Sequence, residues 1–240
     1  MKIQNMKNTI LYPIIALGLM VCGAECSAQT VSGKVKGHAY VDLGLKSGVK
    51  WATCNIGAKK PTEYGDYFAW GETKEKKDFS WKNYKWCDNK KVDSNKYPQD
   101  FTKYCVEDKH GKVDDMKILD SKDDAATAQW GGSWRTPTND ELGELLDICN
   151  WKWTNNFNGS GVAGQIGTSK RNGNKIFFPV AGYQFESDDS TIGKSGYYWS
   201  STLYDRYSPC AYYIEFGEGG IEWDYYTFRS RGLSIRAVTK

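Results

Sequence analysis

The clearest strand pattern lies near the start of the chain. In "HAYVDLGL" the apolar side chains Val41, Leu43 and Leu45 take every second position, the period of a strand with one face toward a core. "VKWATCNIG" and "DYFAWGE" are short β-prone runs closed by glycine. The pattern then dissolves. From Thr73 to about Ser121 the chain is polar and irregular, with Trp81, Tyr84, Trp86, Tyr97, Phe101 and Tyr104 spaced along it. About 50 residues is too long for a plain connection. The segment reads as a loop-rich insertion over about 73–120, tied down by its aromatic side chains.

A helical period follows. "SKDDAATAQW" predicts a short helix, capped by Ser121 or Asp123 and ended by Gly131-Gly132. In "GGSWRTPTNDELGELLDIC" Thr138 is an N-cap, and Glu141, three positions on, can reach back to the cap amide as a capping box. Leu142, Leu145, Leu146 and Cys149 then follow the i, i+3, i+4, i+7 rule and give one apolar stripe. Gly143 within this helix costs about 1 kcal/mol against Ala, so packing and capping must hold it. From Trp151 onward the chain reads as β: "KIFFPVAGY", "GYYWSST", "AYYIEF" and "LSIRAV" are short strands between Gly, Asn, Asp and Ser turns. In the last, Leu233, Ile235 and Ala237 share a face. The order of elements predicts an α+β domain with antiparallel pairing.

Composition narrows the setting. Lys2 and Lys7 precede a mostly apolar run, Ile10 to Ala24, interrupted by Pro13 and too short for a membrane span. Cys26-Ser27-Ala28 offers small residues for cleavage before Gln29. Residues 1–28 are therefore expected to be a signal peptide and 29–37 a polar leader. A lipid anchor at Cys22 or Cys26 and a buried N-terminal helix are the alternatives. The protein is expected to be exported, to the cell surface or extracellular space, or to the periplasm, with no membrane span after cleavage. Lys+Arg number 32 and Asp+Glu 29, a net charge of +3. So even a balance gives no footprint for nucleic acid.

Seven cysteines fall to five after cleavage, an odd number. Cys149, on the apolar stripe, reads as a buried thiol. Cys87 and Cys105, in "YKWC" and "TKYC", flank a polar loop and form a candidate disulfide worth roughly 3 kcal/mol. His38 and His110 stand in no nucleophile–base context, and no glycine-rich loop has phosphate-binding spacing. No catalytic residue is expected.

The blocks "YVDLGL…VKWATCNIGA…YGDYFAWGET", "DDAATAQWGGSWRTPTNDELGELL", "FFPVAGY", "GYYWSST" and "RSRGLSIRAV" resemble the Fibrobacter succinogenes major paralogous domain family, abundant among exported and surface proteins of Bacteroidetes-type bacteria. The resemblance covers nearly all of Tyr40 to Val238. It implies a C-type-lectin-like fold over 38–240: small antiparallel sheets, two short helices, long loops, and chain ends paired as neighbouring strands. It also implies that Trp130 and Trp134 pack where the second helix begins. The formylglycine-generating enzymes of that fold use two nearby cysteines close to the C-terminus, whereas only Cys210 lies in that part of this chain. Calcium-dependent lectins carry Glu-Pro-Asn or Gln-Pro-Asp followed by Trp-Asn-Asp, and neither motif is present. No cofactor is expected. Calcium is the alternative, with Asp188, Asp189, Asp205, Glu222 and Asp224 as loose candidate ligands.

What remains is a binding surface in the C-terminal third. Aromatic residues make up 15% of the chain, with 10 Trp and 16 Tyr, more than a core of this size needs. "STLYDRYSPCAYY" and "GGIEWDYYTFRSR" place Tyr204, Asp205, Arg206, Tyr207, Trp223, Asp224, Tyr225, Tyr226 and Arg229 in or beside turns. These residue types dominate binding hot spots. Retroelement-diversified relatives of the fold carry their ligand face in the same stretch. The expected function is a non-catalytic, surface-exposed module recognising a glycan or a protein, or other surface proteins as partners. The alternatives are a structural subunit of a surface or fimbrial assembly and, third, a formylglycine-generating-like enzyme.

Overall fold

The computed structural model of the chain describes residues 28–88, 98, 100–186 and 190–240. The signal peptide expected over 1–28 lies outside the described residues except for Ala28, and Tyr97, Asp188 and Asp189 lie outside them as well.

The N-terminal strands β1 (Gly33–Val35) and β2 (His38–Val41) form a hairpin, and β3 (Lys50–Ala52) follows. The hairpin turns through Lys36 and Gly37, both at positive φ, which matches the twist of the strands it joins. Next come the helices α1 (Ala125–Trp130) and α2 (Asn139–Ile148). A three-stranded meander is built from β4 (Cys149–Thr154), β5 (Gly164–Ser169) and β6 (Lys175–Pro179). The short β7 (Tyr183–Gln184) precedes the long strands β8 (Gly196–Leu203), β9 (Cys210–Gly217) and β10 (Gly220–Phe228). The two-residue strands β11 (Gly232–Leu233) and β12 (Val238–Thr239) close the chain. The sheets run β1-β2-β3-β12, β4-β5-β6, β10-β9-β8 and β11-β7, with antiparallel strand pairing throughout. The domain is α+β, with small antiparallel sheets and two short helices among its described residues.

α2 forms where its local signals place it. The Glu141 amide donates to Thr138 Oγ1 at 3.2 Å, and the Thr138 amide to Glu141 Oε2 at 2.9 Å. Arg135 grips the same carboxylate with both terminal nitrogens, at 2.7 and 2.6 Å. Leu142 and Leu145 are buried with Val41, Leu43, Leu45, Trp51, Phe178, Tyr198 and Phe216. This is the main core. Cys149 is buried as expected but opens β4 rather than ending the helix.

Several expectations are corrected. The N-cap of α1 is Asp124, which accepts from the amides of Ala126 and Thr127; Ser121 and Asp123 belong to a 3-10 turn just before it. Asp124 also accepts from Thr136, and so links the two helices. "LSIRAV" is not one continuous strand, since only its ends belong to β11 and β12, although Leu233, Ile235 and Ala237 do share one core. Leu233 through Val238 are all buried, because a second core of Phe68, Trp70, Trp134, Trp199 and Leu203 lies against this segment as well. The Cys87–Cys105 disulfide is not formed. Both residues are buried thiols, and Cys105 Sγ is turned to the Glu107 carbonyl at 3.1 Å and toward Ser208 Oγ at 3.7 Å.

Within the segment expected as an insertion, aromatic side chains are buried together. Phe79, Trp81, Tyr84 and Phe101 cluster with Cys87 and Cys105. Lys103 Nζ adds ion pairs to Asp120 at 2.9 Å and Asp123 at 2.6 Å, and the Tyr104 hydroxyl donates to Asp123 at 2.8 Å.

Candidate functional site

The stretch "GIEWDYYTF", with its rings expected in or beside turns, is the strand β10, an edge strand of its sheet. Among the described residues no strand pairs with its other edge. β10 pairs with β9 through Glu222–Glu215 at one end and Tyr225–Tyr213 and Tyr226–Tyr212 at the other. Between these pairs Trp223 and Asp224 together face the single residue Ile214, which is a β-bulge. Asp224 takes a positive φ of 63° there. The bulge is fastened to α2: Asp224 Oδ1 accepts from Asn139 Nδ2 at 3.0 Å. The Trp223 ring lies over Gly143, where an added Cβ would come within 2.5 Å of it.

Antiparallel partners share a face, so pairing sorts the side chains. On the face that carries Ile214 and Phe216 into the main core, the sheet margin bears Tyr212 and Tyr226. Tyr204 stacks on Tyr226 with centroids 3.9 Å apart, and meets Tyr212 edge-on at 5.3 Å. Asp205 and Arg206 stand exposed in the adjoining β8–β9 turn. On the opposite face lie Tyr197, Tyr213, Tyr225, Glu215 and Glu222. Tyr197 and Tyr213 stack at 5.8 Å, and Tyr225 stands edge-on to Tyr213 at 6.4 Å. Among the described residues, three of the six exposed large hydrophobic side chains are on β10: Trp223 at 45% exposure, Tyr225 at 46% and Tyr226 at 49%.

Hydroxyls and carboxylates are coupled on this second face. Tyr197 OH donates to Glu215 Oε1 at 2.8 Å, and Tyr213 OH lies 3.3 Å from Oε2. Burial, and then the bond to Glu215, push the Tyr197 hydroxyl pKa up. That of Tyr225 is raised first by its hydrogen bond to Glu222. A cleft of about 340 Å³ adjoins, lined by Ser195, Glu215, Gly217, Gly219, Gly220 and Glu222 among others.

The structure thus brings most of the anticipated residues together but not all. Arg229 is fully buried and belongs to the framework. Its Nη1 donates to the Tyr104 carbonyl at 2.8 Å, and the guanidinium sits 4.0 Å from the Phe101 ring. Tyr207 is half-buried and meets the His110 ring edge-on at 5.0 Å, so it serves the contact with the insertion. Asp205, Glu222 and Asp224 do not converge, and among the described residues no group of His, Cys, Asp and Glu is placed to hold a metal ion. The Cys210 thiol is buried, and burial pushes its pKa up to about 12, which leaves it protonated at neutral pH. Sequence reasoning missed Tyr197, Tyr212, Tyr213 and Glu215. The signal was present in "AYYIEF", where positions two apart share a face, but it needed β10 as a partner to become a surface. Trp134 is buried as expected, and Trp130 is half-buried, stacked on His38 at 3.9 Å.

A family model described as a domain of unknown function (DUF8237) matches residues 138–238, from the cap of α2 to β12. No curated protein and no solved structure matches the chain.

Proposed function

We propose that this chain is an exported, non-catalytic binding module of the C-type-lectin-like kind, related to the Fibrobacter succinogenes major paralogous domain proteins, and that it recognises a glycan through β10. One observation carries the reading: three large rings, Trp223, Tyr225 and Tyr226, stand about half in solvent on one edge strand. A sheet margin that served only the fold would bury such rings or replace them with small polar side chains. Flat rings set beside carboxylates and hydroxyls suit sugars, which offer apolar ring faces and a rim of hydroxyls. Asp205, Arg206 and Asp224 supply polar groups next to the Tyr204–Tyr226 stack. The protonated, buried state of Cys210 supports a role without covalent chemistry.

Glycan-array binding by the purified protein tests this. Tyr226→Ala, together with a Trp223→Ala variant, should lower the signal for bound glycans by about fivefold or more while circular dichroism stays unchanged. Unchanged binding by both variants would reject the surface.

The open edge of β10 favours a second reading, a subunit of a surface assembly in which a neighbouring copy adds a strand. A strictly monomeric protein at high concentration in light scattering would exclude that reading.

A further inference from the structure

Glu215 and Glu222 face each other directly across the β9–β10 ladder. Like charges in that position repel and weaken a sheet. Here one of them is held in place: the Tyr197 and Tyr213 hydroxyls lie against Glu215, at 2.8 and 3.3 Å, while Glu222 stands exposed on the edge strand. Among the described residues the ion pairs lie elsewhere, and none takes either carboxylate. Beside the pair stands the Tyr225 ring, 46% exposed, and next to it opens the cleft of about 340 Å³. Two facing carboxylates beside an open aromatic face are complementary in charge and shape to an ammonium group carried on a ring.

We propose that this face binds an amino sugar, its ammonium set between Glu215 and Glu222 and its ring against Tyr225. The inference rests on the reading of the chain as a glycan-binding module and names the sugar class for the second face of the same strand. An amino sugar fits better than a lysine side chain. The cleft has glycine backbone at Gly217, Gly219 and Gly220 in its wall, and the Tyr225 ring, 46% exposed, stands beside its two carboxylates. Acidic sugars are disfavoured by the same carboxylates.

Titration calorimetry on the purified full chain decides, with three probes: a β-1,4-linked glucosamine tetrasaccharide with free amines, its N-acetylated counterpart, and tetralysine. The free-amine sugar should bind about fivefold or more tighter than the acetylated one. Glu222→Gln, an exposed substitution, should remove that difference, and added salt should weaken the free-amine complex most. No binding of the free-amine sugar, equal affinity for both sugars, or indifference to Glu222→Gln overturns the proposal. Tetralysine binding as tightly as the sugar overturns the sugar assignment. Tyr226→Ala separates the two readings: loss of array binding with no Glu222→Gln effect rejects the ammonium site alone, and the reverse rejects the role of the Tyr204–Tyr226 face alone.

Discussion

Truncating Arg229 to Ala should cost about 3 kcal/mol, whereas Tyr226→Ala should cost about 1 kcal/mol. Arg229 is fully buried, and its guanidinium donates to a main-chain carbonyl of the insertion while lying on the Phe101 ring. Its removal leaves a cavity and a carbonyl without its donor. Tyr226 loses one stacked contact and is half in solvent already. Urea midpoints of the two variants check this ordering, and equal losses would contradict it. The sequence shows Arg229 only as a charge beside aromatic residues, the signature of a hot spot. Its partner carbonyl lies 125 positions away, and nothing local to "TFRSR" announces that the insertion folds over it.

Among the elements, α2 and β10 make one unit. Gly143, a poor helix residue, sits where the Trp223 ring rides over the helix. Gly143→Ala should raise helix propensity by about 1 kcal/mol yet push the indole away. The expected outcome is a displaced Trp223 Nε1–H resonance in a proton–nitrogen spectrum, together with weaker array binding. An unmoved resonance would show that the ring does not depend on the glycine. The two elements differ in legibility for a physical reason. The start of α2 is written in neighbouring residues, Thr138 and Glu141, and its stripe has a clean period. β10 has no such period: the bulge interrupts it, and rings point to both faces, so "IEWDYYTF" lacks the alternation of a half-buried strand.

Across the whole molecule, acid should unfold this protein through a few named carboxyls. Glu141 is pushed up by burial, but the hydrogen bonds from Arg135 and the Thr138 amide outweigh that and hold its pKa below the usual range. Asp123 is likewise raised by burial and lowered further by Lys103, Tyr104 and Lys85, with a net shift down. A depressed folded pKa stabilises the fold above the unfolded value, and that stability is lost as pH falls through the folded one. Asp124 has the opposite sign: burial keeps its pKa raised despite four donors, so its contribution is present at low pH and lost as pH rises through the folded value. Stability should therefore fall below about pH 4. Glu141→Gln should flatten that fall in thermal melts taken between about pH 5 and pH 2; an unchanged slope would remove Glu141 from the account. At this scale the α+β class is readable, because the helices and the longer strands carry their own patterns. The arrangement of four sheets is not readable, since strands such as β7, β11 and β12 hold two residues each and are set by contacts distant in sequence.

The doubled position opposite Ile214 gives β10 a reserve of slack. Deleting Asp224 would leave Trp223 alone across from Ile214, and every later residue would keep its neighbour on β9. Tyr225 and Tyr226 would stay on their own sides, while the tether to Asn139 and one polar group beside the Tyr204–Tyr226 stack would be lost. A deletion one turn of the pleat further along would instead exchange the two rows. Changes of chain length in this strand thus keep the register at one spot and invert it for the residues that follow a deletion anywhere beyond.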